Sequence, residues 1–205
     1  MSSKKKSLRA AEQDRPDVVA QREDWREKTR ALDPGRLVFL DESGAKTNMT
    51  RLYGRAFDGQ RVVDSTPHGH WCTTTMISSL RLDGSTAAMI VEGPTDADVF
   101  EAYVEQVLVP SLRPGDIVVM DRLAPHKVPR IVHQIEETGA AVWLLPPYSP
   151  DFNPIEKMWS KIKEFLRSAK PRTYAALLTA IATALEAVAA DDAQGWFGSC
   201  GYCYN

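Results

Sequence analysis

Three acidic residues stand where an α/β chain would keep reactive groups. Asp41 closes the apolar run "LVFL" (37–40), Asp121 closes "DIVVM" (116–120), and Glu156 opens an amphipathic stretch after "LPPYSPDFNP". In α/β sheets, working side chains gather at the carboxyl ends of strands, where loops open over the sheet. Each aspartate taken alone also fits a turn or a cap. Two adjacent parallel strands that both end in Asp would hold two carboxylates so close that they repel unless a cation lies between them. A third carboxylate on the next element would complete a hard-oxygen site suited to Mg²⁺ or Mn²⁺.

Glu156 has a purely structural explanation as well. Asn153 as N-cap, Pro154 at the first helical position and Glu156 two residues later make an Asn-x-x-Glu capping box. A capping box does not require Pro146, Pro147, Pro150 and Pro154 ahead of it. Each proline fixes its own φ and restricts the residue before it, so the segment loses little entropy on folding and delivers the helix start to a defined place.

The elements that must position these residues follow from periodicity. "LVFL" is a short run that suits a strand buried on both faces, with Gly44 as a breaker beyond it. "HWCTTTMISSLRLDG" and "STAAMIVEG" read as a hairpin turning at Asp83-Gly84. In "TDADVFEAYVEQVLVPSL", Phe100, Tyr103, Val104, Val107 and Leu108 fall on one helical face behind an acidic cap. "DIVVMD" and "AAVWLLP" are further strands, and between them "KVPRIVHQIEETG" forms a helix with Gly139 at C′. "NPIEKMWSKIKEFLRSAK" places Ile155, Met158, Trp159, Ile162 and Leu166 on one face, and "TYAALLTAIATALEAVA" follows as a second helix. A hairpin followed by βαβ units predicts an α/β fold with a mixed five-stranded sheet and helices on both faces. Trp71, Trp143 and Trp159 read as core.

Composition narrows the class. The chain has 205 residues, 43% of them hydrophobic, and no apolar run near the roughly 18 residues of a membrane span. "MSSKKKSLRA" is basic without an apolar region after it, so no secretory signal is expected and the protein is read as cytoplasmic. Three cysteines are too few for a disulfide framework; Cys200 and Cys203 form C-x-x-C, read as a C-terminal turn rather than a zinc site because the one closely spaced His pair, His68 and His70, lies in a distant segment. Net charge is −2, yet residues 1–30 carry nine Lys/Arg against six Asp/Glu and residues 151–172 carry six against three. Each segment is therefore +3, and the remainder is acidic by eight charges. Basic margins around an acidic centre suit a protein that grips phosphates at its edges, and ordinary solvated helix faces would look the same. The charged stretch "EQDRPDVVAQREDWREKTRALDPGR" reads as an exposed helix leading in from something else, so residues 1–34 are expected to be a basic segment and linker, and 35–205 the main domain.

"LVFLDESG", "HWCTTTM", "PGDIVVMDRLAPHK" and "LLPPYSPDFNPIEKMWSKIK" together resemble the catalytic domain of the mariner-type DDE transposases, most closely the bacterial insertion-sequence branch, the IS six-thirty group. The resemblance runs over roughly residues 10 to 203. That branch places 34 residues between the second and third acids, as here (156 − 121 − 1). It implies an RNase H-like fold in which Asp41, Asp121 and Glu156 are both the catalytic residues and the ligands of two Mg²⁺ or Mn²⁺ ions. The implied activity is hydrolysis at transposon ends and strand transfer into target DNA at TA sites. Double-stranded DNA would be the partner, the protein a homodimer on it, and an N-terminal helix-turn-helix region, which in the family precedes the linker, would be encoded separately. His126, Lys127, Lys157, Lys161 and Lys163 would face phosphates, or be solvated surface. Two positions depart from the pattern: Arg122 stands where Asn is usual, and Cys72 where Lys is common. The alternative is a catalytically inactive remnant that acts only as a DNA-binding or regulatory protein.

Overall fold

The sheet is built around β1 (Leu37–Lys46), whose first four residues alternate between two cores. Leu37 and Phe39 enter one apolar cluster, and Val38 and Leu40 the other. Such alternation within a wholly apolar run is the mark of a strand covered on both faces. The computed structural model describes residues 9–58, 60–67, 71–122 and 129–202. Four further strands are β2 (Thr73–Arg81), β3 (Thr86–Glu92), β4 (Ile117–Met120) and β5 (Ala141–Leu144), in the order β3-β2-β1-β4-β5. β3, β2 and β1 are antiparallel neighbours, while β1, β4 and β5 run parallel. The mixed five-stranded sheet expected from the sequence is thus present.

β1 runs further than its apolar stretch predicts. Glu42 to Lys46 continue as strand because they pair with Ile77 to Thr73 of β2, so Gly44, opposite Thr75, lies within the ladder and does not break it. The β2–β3 turn falls at Asp83-Gly84 as expected. Gly84 has φ +83°, and an added Cβ would lie 2.8 Å from the Ala189 carbonyl carbon, so only glycine fits.

One face of the sheet is covered by α2 (Ala97–Tyr103), its continuation through a wide π turn and a 3₁₀ turn to Ser111, and α3 (Pro129–Glu136). Asp96 caps α2 by accepting from the Val99 amide at 2.9 Å. Phe100, Tyr103, Val104, Leu108, Ile131 and Ile135 are buried against Val38, Leu40, Val118 and Met120. The other face carries α4 (Ile155–Ala169), α5 (Tyr174–Glu186), α6 (Ala190–Ser199) and Trp25 of α1 (Pro16–Arg30). The expected stripe Ile155, Met158, Trp159, Ile162 and Leu166 is fully buried there. No single helix among the described residues is long and apolar enough to cross a membrane.

Three expectations are corrected. α1 is not a solvated lead-in, because Val18, Arg22 and Trp25 are buried and the Trp25 indole donates to the Tyr202 hydroxyl at 3.0 Å. Trp71 is 44% exposed because it lies ahead of β2, outside the packed sheet, whereas Trp159 is core and Trp143 packs edge-on against Trp25 at 5.9 Å. α6 is an additional helix in a segment whose Gly195 and Gly198 argue against one. Cys200 ends it, buried, with its thiol pushed up to about 11 by burial; Cys203 lies outside the described residues.

Candidate metal centre

Parallel pairing of β1 with β4 matches Leu37, Val38 and Phe39 to Ile117, Val118 and Val119, an offset of 80 residues. Carried forward by two residues, that register sets Asp41 beside Asp121, on neighbouring chains separated by about 4.8 Å. The face follows from alternation. Phe39 and Val119 belong to the core under α4, so Asp41 and Asp121, two residues on, continue toward that side. Glu42 falls on the opposite side, with Tyr103, as strand geometry requires.

Glu156 reaches the same side from above. It lies in the first turn of α4, exposed, on a helix whose apolar stripe rests on the Phe39 and Val119 face. The expected capping box does not form. Pro154, not Asn153, occupies the N-cap place, and the buried Asn153 Oδ1 has no hydrogen-bond partner. The Glu156 amide instead meets the Asn153 backbone carbonyl at 3.3 Å. Capping therefore does not explain the glutamate.

Electrostatics tie the three acids together. Asp41 is 8% exposed, and its carboxyl is raised from 3.8 to about 7 by burial, by the charge of Glu156 and, more weakly, by Asp121 and Glu42. The Glu42 backbone amide opposes that rise only in part. A carboxylate raised this far by burial and by neighbouring carboxylates is one that a bound cation would stabilise in its charged form. Among the described residues, no three acidic, His or Cys side chains converge tightly enough to form a ready-made cage for one ion. The three acids lie toward one face, and Asp41 feels the charge of both others, without closing on a single point. Hard-oxygen donors in that arrangement fit divalent cations whose remaining positions are filled by water or phosphate oxygens.

The approach to Glu156 is anchored at each step. Leu145 donates to the Met120 carbonyl at 2.9 Å, and after Pro146 and Pro147 the chain turns through Tyr148 at φ +53°. Ser149 is buried, and Pro150–Phe152 form a 3₁₀ turn closed by Phe152 N to Ser149 O at 3.1 Å and Asn153 N to Pro150 O at 3.1 Å. The Tyr202 hydroxyl donates to the Phe152 carbonyl at 2.7 Å. The sequence reading missed the partner on the other side. Arg22 of α1 sends both Nη atoms to Asp151 (3.0 and 2.6 Å), one of them also to Ser149 Oγ (2.6 Å), and stacks 4.3 Å from the Phe152 ring centre. Burial would raise the Asp151 carboxyl, but the hydrogen bonds and charge of Arg22 outweigh it and hold the group below the usual range.

The remaining sequence-nominated residues divide. Lys157 is exposed and Lys163 half-buried on α4. Lys161 is not left to solvent: its ammonium is paired with Asp192 and donates to the Ala187 carbonyl at 2.9 Å, fastening α4 to the start of α6. His126 and Lys127 lie outside the described residues. Arg122 directs Nε to the Leu145 carbonyl at 3.0 Å and Nη2 to Gln21 Oε1 at 3.1 Å. Cys72, the other departure, is exposed, and its carbonyl accepts from the Thr47 amide at 3.4 Å.

The sequence profile of the DDE superfamily endonucleases matches residues 36–178, a span that holds all three acids. The chain belongs to this family. Among solved structures, this DDE endonuclease chain is similar to the Mos1 transposase in its paired-end complex with the left transposon end, at 14% identity and a TM-score of 0.75 over 97% of this chain. The Mos1 mariner paired-end complex with Mn gives 16% identity and a TM-score of 0.72 over 97% of this chain. The Mos1 transposase catalytic domain with raltegravir and Mg gives 14% and 0.65, over 93% of this chain and 98% of that one. The DDE endonuclease chain spans 63% and 64% of the Mos1 chains in the two paired-end complexes. A search of curated protein sequences returns no match. At these identities the likeness establishes the fold, which is RNase H-like: the mixed sheet and its two helical layers are those of the Mos1 catalytic domain.

Proposed function

We propose that the protein is the catalytic domain of a DNA transposase that cuts phosphodiester bonds at transposon ends and joins the freed ends to target DNA. The observation that carries this reading is the placement toward one sheet face of Asp41, Asp121 in register beside it, and Glu156 above, with Asp41 raised to about 7 by burial and then by its acidic neighbours. Asp41, Asp121 and Glu156 would hold two Mg²⁺ or Mn²⁺ ions. Bound there, the ions supply Lewis acidity, which activates the attacking oxygen and stabilises the leaving one in an in-line displacement.

The chain's own residues do the rest. Asp41 must give up its proton for the cations to enter, and cation binding itself favours that loss. Burial of Asp41 and the sheet on which both aspartates stand fix two ligands rigidly. The proline turn brings the third. Lys157 and Lys163, with His126 and Lys127 beyond Asp121, would contact DNA phosphates and add a salt-dependent, sequence-independent share of affinity. One site serves both steps, because the nucleophile is a water oxygen in hydrolysis and a DNA 3′-hydroxyl in joining.

The resemblance of "SPDFNPIE" and its spacing supports placing this chain in the bacterial insertion-sequence branch, with TA targets, a homodimer on DNA and a separately encoded helix-turn-helix part, acting in the cytoplasm on the nucleoid. The deciding experiment is Mn²⁺-dependent nicking of duplex DNA that bears the element's ends, with Asp121→Ala as control. If cleavage stays absent when the helix-turn-helix part is supplied, this copy is not an enzyme and the remnant reading takes its place.

A further inference from the structure

Two consecutive residues of α1 reach toward two different members of the acidic triad. Gln21 accepts from Arg122, which adjoins Asp121 and also donates to the carbonyl of Leu145, the residue that closes the β5 end. Arg22 grips Ser149, Asp151 and Phe152, the turn that opens α4 and so carries Glu156. α1 therefore touches the support of both acids at once, although it lies outside the sheet and contributes no acid to the triad.

Arg22 is not the only residue that holds α1 to the domain. Val18 and Trp25 already bury an apolar stripe, and Trp25 is hydrogen-bonded to Tyr202. A buried guanidinium is a costly way to add adhesion, since an apolar side chain of similar size often stabilises as well or better. What the fork provides is geometry: two parallel donors to one carboxylate, and a third bond to a hydroxyl, fix the turn in direction as well as position. From that turn the path to Glu156 is short and stiff. Pro150 and Pro154 fix φ, and the bonds Asn153 N to Pro150 O and Glu156 N to Asn153 O run without a gap into the first helical turn.

We propose that Arg22 is a positioning residue that sets Glu156 against Asp121 for the cation site, so that docking of the linker helix and completion of that site are one event. This rests on the metal-centre reading given above. A residue that orients a ligand through its support alters metal affinity even when the ligand itself is intact.

The test is Mn²⁺ titration of the full chain, followed by calorimetry and by the loss of the free-Mn²⁺ electron paramagnetic resonance signal, for the wild type and for Arg22→Met, Arg22→Lys, Glu156→Gln and the Arg22→Met/Glu156→Gln pair. Arg22→Met is expected to weaken Mn²⁺ binding about tenfold. Arg22→Lys should do nearly the same, because a point charge cannot span Ser149 and Asp151 together. In the double variant the Arg22 loss should vanish, since both changes act on one ligand. Wild-type Mn²⁺ affinity in Arg22→Met, or in Arg22→Lys if the Met variant does not fold, overturns the inference whatever happens to the melting temperature, because it leaves Arg22 a merely structural residue. A wild type whose Mn²⁺ binding is absent, or indifferent to Asp121→Asn, overturns the functional reading itself and this inference with it.

Discussion

Asp41→Asn should stabilise the metal-free protein at pH 8 while abolishing its response to divalent cations. The carboxyl is raised from 3.8 to about 7 by burial and by Glu156, Asp121 and Glu42, so the folded state binds a proton that the unfolded chain has already released. The sign follows from linkage: stability falls as pH rises from about 4 to about 7 and levels off above, where the charge must be carried in the folded site. A rise of about three units at ~1.4 kcal/mol each sets a ceiling of about 4 kcal/mol. Side-chain relaxation and water entry reduce it to about 2 kcal/mol, or about 4–8 °C in melting temperature for a chain of this size. Asparagine keeps the shape and an acceptor for the Glu42 amide while removing the charge. The assay is thermal unfolding in chelator at pH 5 and pH 8, repeated with Mn²⁺ at pH 8. The wild type should melt lower at pH 8 than at pH 5 in chelator and recover with Mn²⁺, whereas the variant should be nearly insensitive to both. An Asn variant that melts at or below the wild type at pH 8 in chelator would refute the argument that the Asp41 charge is held at a cost by its burial and its acidic neighbours.

Other outcomes follow from single contacts. Arg81→Met strips the buried Asp116 of its two guanidinium bonds, 3.1 and 2.6 Å, and should cost about 3–5 kcal/mol in urea unfolding, because a charge is left buried without its partner. Tyr202→Phe removes the hydroxyl that accepts from Trp25 and donates to the Phe152 carbonyl, and should cost about 1–3 kcal/mol by the same measurement, with Mn²⁺ affinity lowered if the turn loosens. Lys161→Ala, whose ammonium is held by Asp192 with both side chains partly exposed, should cost less than about 1 kcal/mol and leave the salt dependence of DNA binding unchanged. Lys157→Ala, by contrast, should lower the slope of log affinity against log salt by about one phosphate contact.

The strands that end at Asp41 and Asp121 are legible because each rests on local pattern. A doubly buried strand announces itself as an apolar run, and the spacing of Asp121 from Glu156 is plain counting. What the sequence concealed depends on distant partners. β1 passes through Gly44 because β2 supplies a ladder there, and no propensity within "DESGAK" signals it. The box expected at Asn153 fails because Pro154 takes the cap position and the asparagine side chain is buried away from the amides it would serve. Arg22 is hardest of all. It sits in a helix rich in Arg and Glu, where nothing local distinguishes it from Arg26 or Arg30, and its carboxylate partner is 129 residues away in the chain.

Arg122 joins these two kinds of information. From sequence alone, a permanent cation directly after a metal-ligating aspartate should weaken a cation site, either by occupying a carboxylate or by repelling the ions. In the fold its guanidinium is committed to the Leu145 carbonyl and to Gln21, along the end of β5 and toward α1. The leading causes that raise Asp41 to about 7 are burial, then Glu156 and, more weakly, Asp121 and Glu42, with the Glu42 backbone amide opposing them. Arg122 instead joins the chain beside Asp121 to the same helix whose Arg22 holds the turn before Glu156. Loss of that helix would then do two things together, loosening the third acid and releasing a cation beside the second.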